Sequence, residues 1–162
     1  MRESMARLTP RFSANRAVRD YTEQYYLPAA KSFNLRSENN SKKAVEIANW
    51  KVELNQKWRA LRFIDLNIET KNGQHNFEVH VYLDELEPAK VKVELFADAV
   101  NGFNSICKEM KYNGQLAGAI NIYVFNASVP VERPVEDYTP RIIPYFSGVN
   151  VPLESSQILW QK

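Results

Sequence analysis

The chain reads as mainly β with N-terminal helices: an Ig-like antiparallel β-sandwich of about seven strands preceded by two helices. Three observations carry this. The apolar period is 3.6 residues up to about residue 61 and 2 residues from 62 onward. The alternating segments are short and recur roughly every 10–20 residues with no helical pattern between them, which favours hairpin-connected strands over a parallel sheet. Asn72-Gly73, Asn101-Gly102 and Asn113-Gly114 are dipeptides suited to tight turns, because Asn and Gly tolerate positive φ.

In chain order, residues 8–30 predict an amphipathic helix. Thr9-Pro10 and Ser13 are candidate caps. Ala14, Ala17, Val18, Tyr21 and Tyr25 form one apolar stripe, and Arg16, Arg19, Asp20 and Glu23 lie on the opposite face. Pro28 is expected to stop this helix. Residues 31–43 are polar and aperiodic, a linker. Asn40 or Ser41 then caps a second helix over about 42–61. Its stripe is Ala44, Ile47, Ala48, Leu54, Trp58 and Leu61, with Val45 and Trp50 on the flanks. The expected division is a helical arm and linker over 1–41 and a helix plus sandwich over 42–162.

From residue 62, Ile64, Leu66 and Ile68 alternate with Phe63, Asp65 and Asn67. Phe77, Val79, Val81 and Leu83 alternate with Glu78, His80, Tyr82 and Asp84, and Val91, Val93 and Leu95 with Lys92 and Glu94. These are half-buried strands. Further strands are expected near 106–112, 117–126, 140–146 and 157–161, with Leu86-Glu87-Pro88 as another break.

The composition is that of a globular chain: 162 residues, 44% hydrophobic and 25% charged. It lacks the run of ~20 apolar residues that a membrane span needs. With no basic-then-apolar leader and a single cysteine, Cys107, a cytoplasmic setting is expected, with no membrane partner. Residues 1–60 hold 12 Lys/Arg against 6 Asp/Glu, a balance of +6, and residues 61–162 hold 9 against 13, a balance of −4. The basic residues alternate with acids and form no run, which reads as a solvated face and not as a nucleic-acid site.

Catalytic constellations are poorly supplied. His75 and His80 are five apart, which on a strand puts them on opposite faces, so surface histidines are expected and no shared metal. Cys107 is expected to be a buried, inert thiol. The five glycines form no phosphate-cradling loop. Asp84, Glu85 and Glu87 read as solvated loop acids. No catalytic, cofactor-binding or metal-ligating residue is assigned, and the chain by itself is not expected to be an enzyme. Tyr82, Phe96 and Tyr123 on strands are candidates for sugar stacking; the competing expectation is that the strand aromatics pack against the helices.

Residues 4–16, SMARLTPRFSANR, followed by Val18, Tyr21 and 25–30, YYLPAA, resemble the C-terminal region of bacterial α-glucan (glycogen/maltodextrin) phosphorylases, of the branch with an extra C-terminal domain. Trp50-Lys51, Trp58, the runs 83–88 and 91–95, and the tail 138–145, YTPRIIPY, through 151–154, VPLE, to Ile158-Leu159-Trp160 are similar to the same region. Ala17 departs from it, where a bulkier methionine is expected. The resemblance implies glycosyltransferases of the two-Rossmann-domain type that use pyridoxal phosphate and inorganic phosphate to release glucose 1-phosphate from α-1,4-glucan. The cofactor lysine and the phosphate-binding groups of that family lie upstream of the matched region, so none is carried over. The resemblance implies the last helix of the catalytic region plus the appended domain, with Met1 not a natural start. Phe12, Val18, Tyr21, Tyr25 and Tyr26 would then contact the catalytic domains or, through the arm, a second copy. Tyr82, Phe96 and Tyr123 would be the glucan-stacking candidates.

Overall fold

The computed structural model describes residues 3, 6, 13–100 and 102–162. The chain divides into two compact units, Met1–Glu46 and Ile47–Lys162.

In the first unit, helix α1 (Ala14–Tyr21) starts at Ser13, whose Oγ accepts the Arg16 N–H at 3.3 Å. Thr9-Pro10, the other candidate cap, lies outside the described residues. Pro28 does not stop the helix. A wide π turn over Thr22–Tyr26 intervenes, with the Leu27 N–H donating to the Thr22 carbonyl five residues back, and helix α2 (Leu27–Lys57) follows. Pro28 has no N–H to donate, and falling in the first turn of α2 it is tolerated where an interior proline would not be. Most of the expected linker is therefore helical. The break comes at 38–41: Glu38 is extended, and Asn39, Asn40 and Ser41 take φ of 50°, 55° and 59°. Asn visits this left-handed region more readily than most residues with a Cβ, which suits Asn39 and Asn40 to the interruption. No described residue of 13–46 is buried.

The second unit opens with the later turns of α2. Ile47, Trp50 and Leu54 are buried there, and the chain leaves the helix through a 3₁₀ turn, Trp58–Ala60. Trp50, read as a flank from the sequence, is at the centre, 2% exposed, with its ring 5.3 Å from Phe146, whereas Ala48 is exposed. Burying Trp50 and Leu54 contributes on the order of 2–3 kcal/mol each. Glu53 fixes the polar side of this segment, bonding Lys90 at 2.7 Å and Lys57 at 3.3 Å, while Lys57 also donates to the Glu85 carbonyl at 3.2 Å.

Eight strands follow: β1 (Arg62–Lys71), β2 (Gln74–Tyr82), β3 (Val91–Ala97), β4 (Ile106–Glu109), β5 (Lys111–Gln115), β6 (Ile122–Pro130), β7 (Thr139–Pro144) and β8 (Leu159–Trp160). They form two four-stranded sheets, β1-β2-β6-β5 and β4-β3-β7-β8, antiparallel throughout. The first has the order of the ABED sheet of an immunoglobulin fold, and the second that of the CFG sheet with one added strand beside C, so the Ig-like expectation holds.

The eighth strand arises from the segment expected as one near 106–112. Its β4 half pairs with β3 and its β5 half with β6, so the chain changes sheets between them. Met110 is the pivot, buried, its N–H donating to the Val93 carbonyl at 2.8 Å. Asn113-Gly114 is not a hairpin turn. It is a bulge in β5, where the register slips between Tyr112 and Gly114 and Gly114 takes φ of 110°. Asn72-Gly73 does make the β1–β2 turn, at φ of 53° and 74°. Asn101 lies outside the described residues, while Gly102 sits in a turn at φ of 86°. In β1 a bulge between Phe63 and Asp65 leaves Ile64 exposed, reversing the face read for it from strict alternation. The strand expected over 117–126 starts only at Ile122, because 117–121 is a turn containing Gly118 at φ of 75° and Asn121 at φ of 59°.

Phe77, Val79 and Val81 of β2, Val91, Val93 and Leu95 of β3, and Phe125 and Ile142 form the core with Trp50 and Leu54. A polar clamp closes one margin. Arg133, 2% exposed, pairs with Asp137 at 2.9 Å and donates to the carbonyls of Asn104, at 3.2 Å, and Asp98. His75 is buried and not a surface residue. Its Nε2 lies 3.2 Å from the Arg133 carbonyl and its Nδ1 2.7 Å from Thr70 Oγ1. A carbonyl only accepts, so Nε2 carries a proton and donates to it, and in the neutral ring Nδ1 then accepts from the threonine hydroxyl. His80 is on the opposite face, as five-residue spacing requires, 3.2 Å from Glu78 Oε1.

Candidate interaction surfaces

The arm's apolar residues are out in the open. Val18 is 64% exposed, Tyr21 56%, Tyr25 60% and Tyr26 66%, and the rings of Tyr21 and Tyr25 adjoin at 5.8 Å. Phe12 lies outside the described residues. Leu27, Phe33 and Leu35 are exposed as well. A stop at Pro28 gives these residues no helical period in the sequence, whereas in the structure the helix continues through them.

The three sugar-stacking candidates are not brought together. Tyr82 is on β2 and projects to the outer face of its sheet, under the Arg62 guanidinium at 4.0 Å. Its hydroxyl donates to Asp84 Oδ1 at 3.0 Å, and this bond holds the phenol above its ordinary pKa. Tyr123 pairs with Val81 across β2 and β6 and so shares the inner face, against the core. Phe96 is on the other sheet, where Arg141 lies 4.4 Å above its ring and Trp160 meets it edge-on at 5.5 Å. Arg141 also pairs with Glu94 at 2.8 Å and donates to Cys107 Sγ at 3.5 Å. Cys107 is exposed, contrary to the expected burial, because it lies on the outer side of the edge strand β4. Partial desolvation and the neighbouring Glu94 raise its thiol pKa.

A groove of about 720 Å³ lies beside the crossing from β4 to β5. Val91, Val93, Met110 and Phe125 contribute its apolar lining. Tyr112 and Tyr145, both substantially exposed, supply aromatic rings to it. Tyr112 is braced by Phe125 at 5.6 Å and Tyr123 at 6.1 Å. Tyr145 lies under the Lys92 ammonium at 4.5 Å, with its backbone N–H donating to the Lys90 carbonyl at 2.9 Å. Lys92 and Glu109 pair at 2.6 Å on the same groove, and this bond raises the lysine pKa, so the ammonium persists through neutral pH.

Among the described residues, no group of three or more His, Cys, Asp or Glu is placed to hold a metal ion. None of their helices is long and apolar enough to cross a membrane.

No protein-family model matches the chain. It is 30% identical over 151 residues to maltodextrin phosphorylase of Thermococcus litoralis, a match covering 90% of this chain and 18% of the relative. It is 27% identical over 154 residues to glycogen phosphorylases of Mycobacterium tuberculosis and Mycobacterium bovis, covering 89% of this chain and 18% of theirs. The resemblance read from the sequence is borne out: nine-tenths of the chain is similar to a portion of the maltodextrin and glycogen phosphorylases, and the chain spans about a fifth of the length of these relatives.

Proposed function

We propose that this chain serves as the non-catalytic C-terminal domain of an α-glucan phosphorylase-like glycosyltransferase, with a role in assembly or glucan positioning. The observation that carries the reading is the match itself, which takes in 90% of the chain but 18% of a maltodextrin phosphorylase. A protein of that length leaves a large body for the arm to meet. The exposed stripe of Val18, Tyr21, Tyr25 and Tyr26 supplies the apolar and aromatic side chains that such a contact would bury. In this reading the longer protein phosphorolyses α-1,4-glucan to glucose 1-phosphate in the cytoplasm, and pyridoxal phosphate supplies the phosphate chemistry when bound there. No step is assigned to it in this chain.

The test is phosphorolysis of maltoheptaose by the purified chain, with pyridoxal phosphate and inorganic phosphate present. No glucose 1-phosphate above the blank is expected; its release would overturn the non-catalytic assignment. In a full-length phosphorylase carrying this domain, Tyr21→Ala together with Tyr25→Ala should loosen the domain from the catalytic part, read as faster amide exchange across α1. Unchanged exchange there would remove the arm's docking role. Light scattering of the isolated chain separates the alternative occupant, since a stable dimer lost in the same variant would give the stripe to a second copy.

A further inference from the structure

We propose that the groove beside the β4–β5 crossing is a binding site for an α-1,4-glucan chain, with Tyr112 and Tyr145 as the stacking surfaces and Lys92 and Glu109 as the hydroxyl-binding pair. The choice of ligand class rests on the phosphorylase reading above; the choice of site rests on the groove. A hexose offers an apolar C–H face to an aromatic ring and vicinal hydroxyls to a mixed donor–acceptor pair. The groove presents both kinds of partner, since both tyrosines and the Lys92–Glu109 pair line it. Its volume, about 720 Å³, falls within the range of specific ligand sites. Both rings are already held in place, Tyr112 by Phe125 and Tyr123 and Tyr145 by Lys92, so little ordering cost is left for binding.

Neither competing hollow offers two tyrosine or tryptophan rings. A hollow of about 500 Å³ on the outer face of the β1-β2-β6-β5 sheet offers Asn67, Asn76, Glu78, Asn126 and Ser128, with no tyrosine or tryptophan on it. A third, of about 650 Å³ between β1 and β8, includes Trp160 as its one tryptophan or tyrosine, where the groove has two such rings. The groove also explains why the sequence reading chose other aromatics. Tyr112 faces it only because the chain changes sheets at Met110, and Tyr145 lies just past the end of β7.

The experiment is affinity electrophoresis of the whole chain through gels containing glycogen or hydroxyethylcellulose, with maltoheptaose titration by calorimetry as the quantitative arm. Retardation by glycogen alone is expected, with binding weakened at least tenfold in Tyr112→Ala and in Tyr145→Ala and unchanged in Tyr82→Ala. Glu109→Gln, which keeps the shape of the groove, should weaken binding severalfold. Unfolding midpoints near wild type would show that the variants fold. Unretarded wild type, equal retardation by both polymers, or retention of binding in the Tyr112→Ala/Tyr145→Ala double variant each overturns the groove assignment. Those results leave the phosphorylase relationship standing. Release of glucose 1-phosphate by the chain would instead remove the non-catalytic reading without touching the groove.

Discussion

Trp50 and Tyr21 are both large aromatic residues on N-terminal helices, yet one is 2% exposed and the other 56%. The difference separates the two units. Trp50 belongs to one continuous core with side chains of β2, β3 and β6, and its ring meets Phe146 at 5.3 Å. Tyr21 lies in a stretch without a buried residue, on a helix whose apolar face finds no core of its own. Most helical stability in proteins comes from packing an amphipathic face, and this face is left exposed. The sandwich thus has a buried core of its own, whereas the described residues of the arm expose their apolar and aromatic side chains.

Four measurements sharpen or break that contrast. The largest effect is expected from Trp50→Ala, which should lower the stability of the second unit by about 4 kcal/mol, read from denaturant unfolding. A loss under about 1 kcal/mol would mean that the helix is not integral to the core. Arg133→Ala comes next, at about 3 kcal/mol, because it leaves Asp137 and the carbonyls of Asp98 and Asn104 without their common donor. Its signature would be accelerated amide exchange in the loops around 98–104 and 131–138, with β2 and β3 still protected.

A smaller, pH-dependent effect belongs to Glu53. The bond from Lys90, joined by Lys57, holds its carboxyl below the ordinary value against the opposing effect of burial. A depressed carboxylate pKa stabilises the fold above the unfolded-state pKa, and that stabilisation disappears as pH falls through the folded-state pKa. Wild type should therefore exceed Glu53→Gln by about 1 kcal/mol at neutral pH, with the gap closing under acid titration. The raised Lys90 pKa adds the mirror prediction, a loss of the same pairing at alkaline pH as the lysine deprotonates. A gap constant across the acid range would discard the ion pair as its cause. The smallest effect is expected at the arm: Tyr21→Ser with Tyr25→Ser should change the unfolding of the isolated chain by less than about 0.5 kcal/mol. A drop of several kcal/mol would show that the stripe is buried in solution and erase the contrast.

Much of the fold was legible because periodicity reports which face meets a core. Val79, Val81, Val93 and Leu95 alternate with polar neighbours, and all four are buried. The failures have local physical causes. Pro28 was read as a stop, but a wide turn before it lets the helix run on. The bulges near Ile64 and Gly114 each shift a phase that strict alternation assumes constant. His75 carries no sequence mark of burial, since its partners are Thr70 and a carbonyl 58 residues away. The candidate groove was least legible of all: Lys92, Glu109, Tyr112 and Tyr145 come from separate stretches, with no spacing rule to join them.

The sequence by itself determined the class of fold, the positions of most strands, the Asn72-Gly73 turn and the similarity to a portion of the phosphorylases, because local propensity, side-chain period and residue identity are properties of the chain alone. Only the tertiary structure decided that 106–115 is divided between two sheets, that Arg133 is a buried clamp, and that Tyr112 and Tyr145 open onto one groove. Those are outcomes of long-range pairing, in which a residue's environment is made by segments distant in the chain, and no local pattern encodes them.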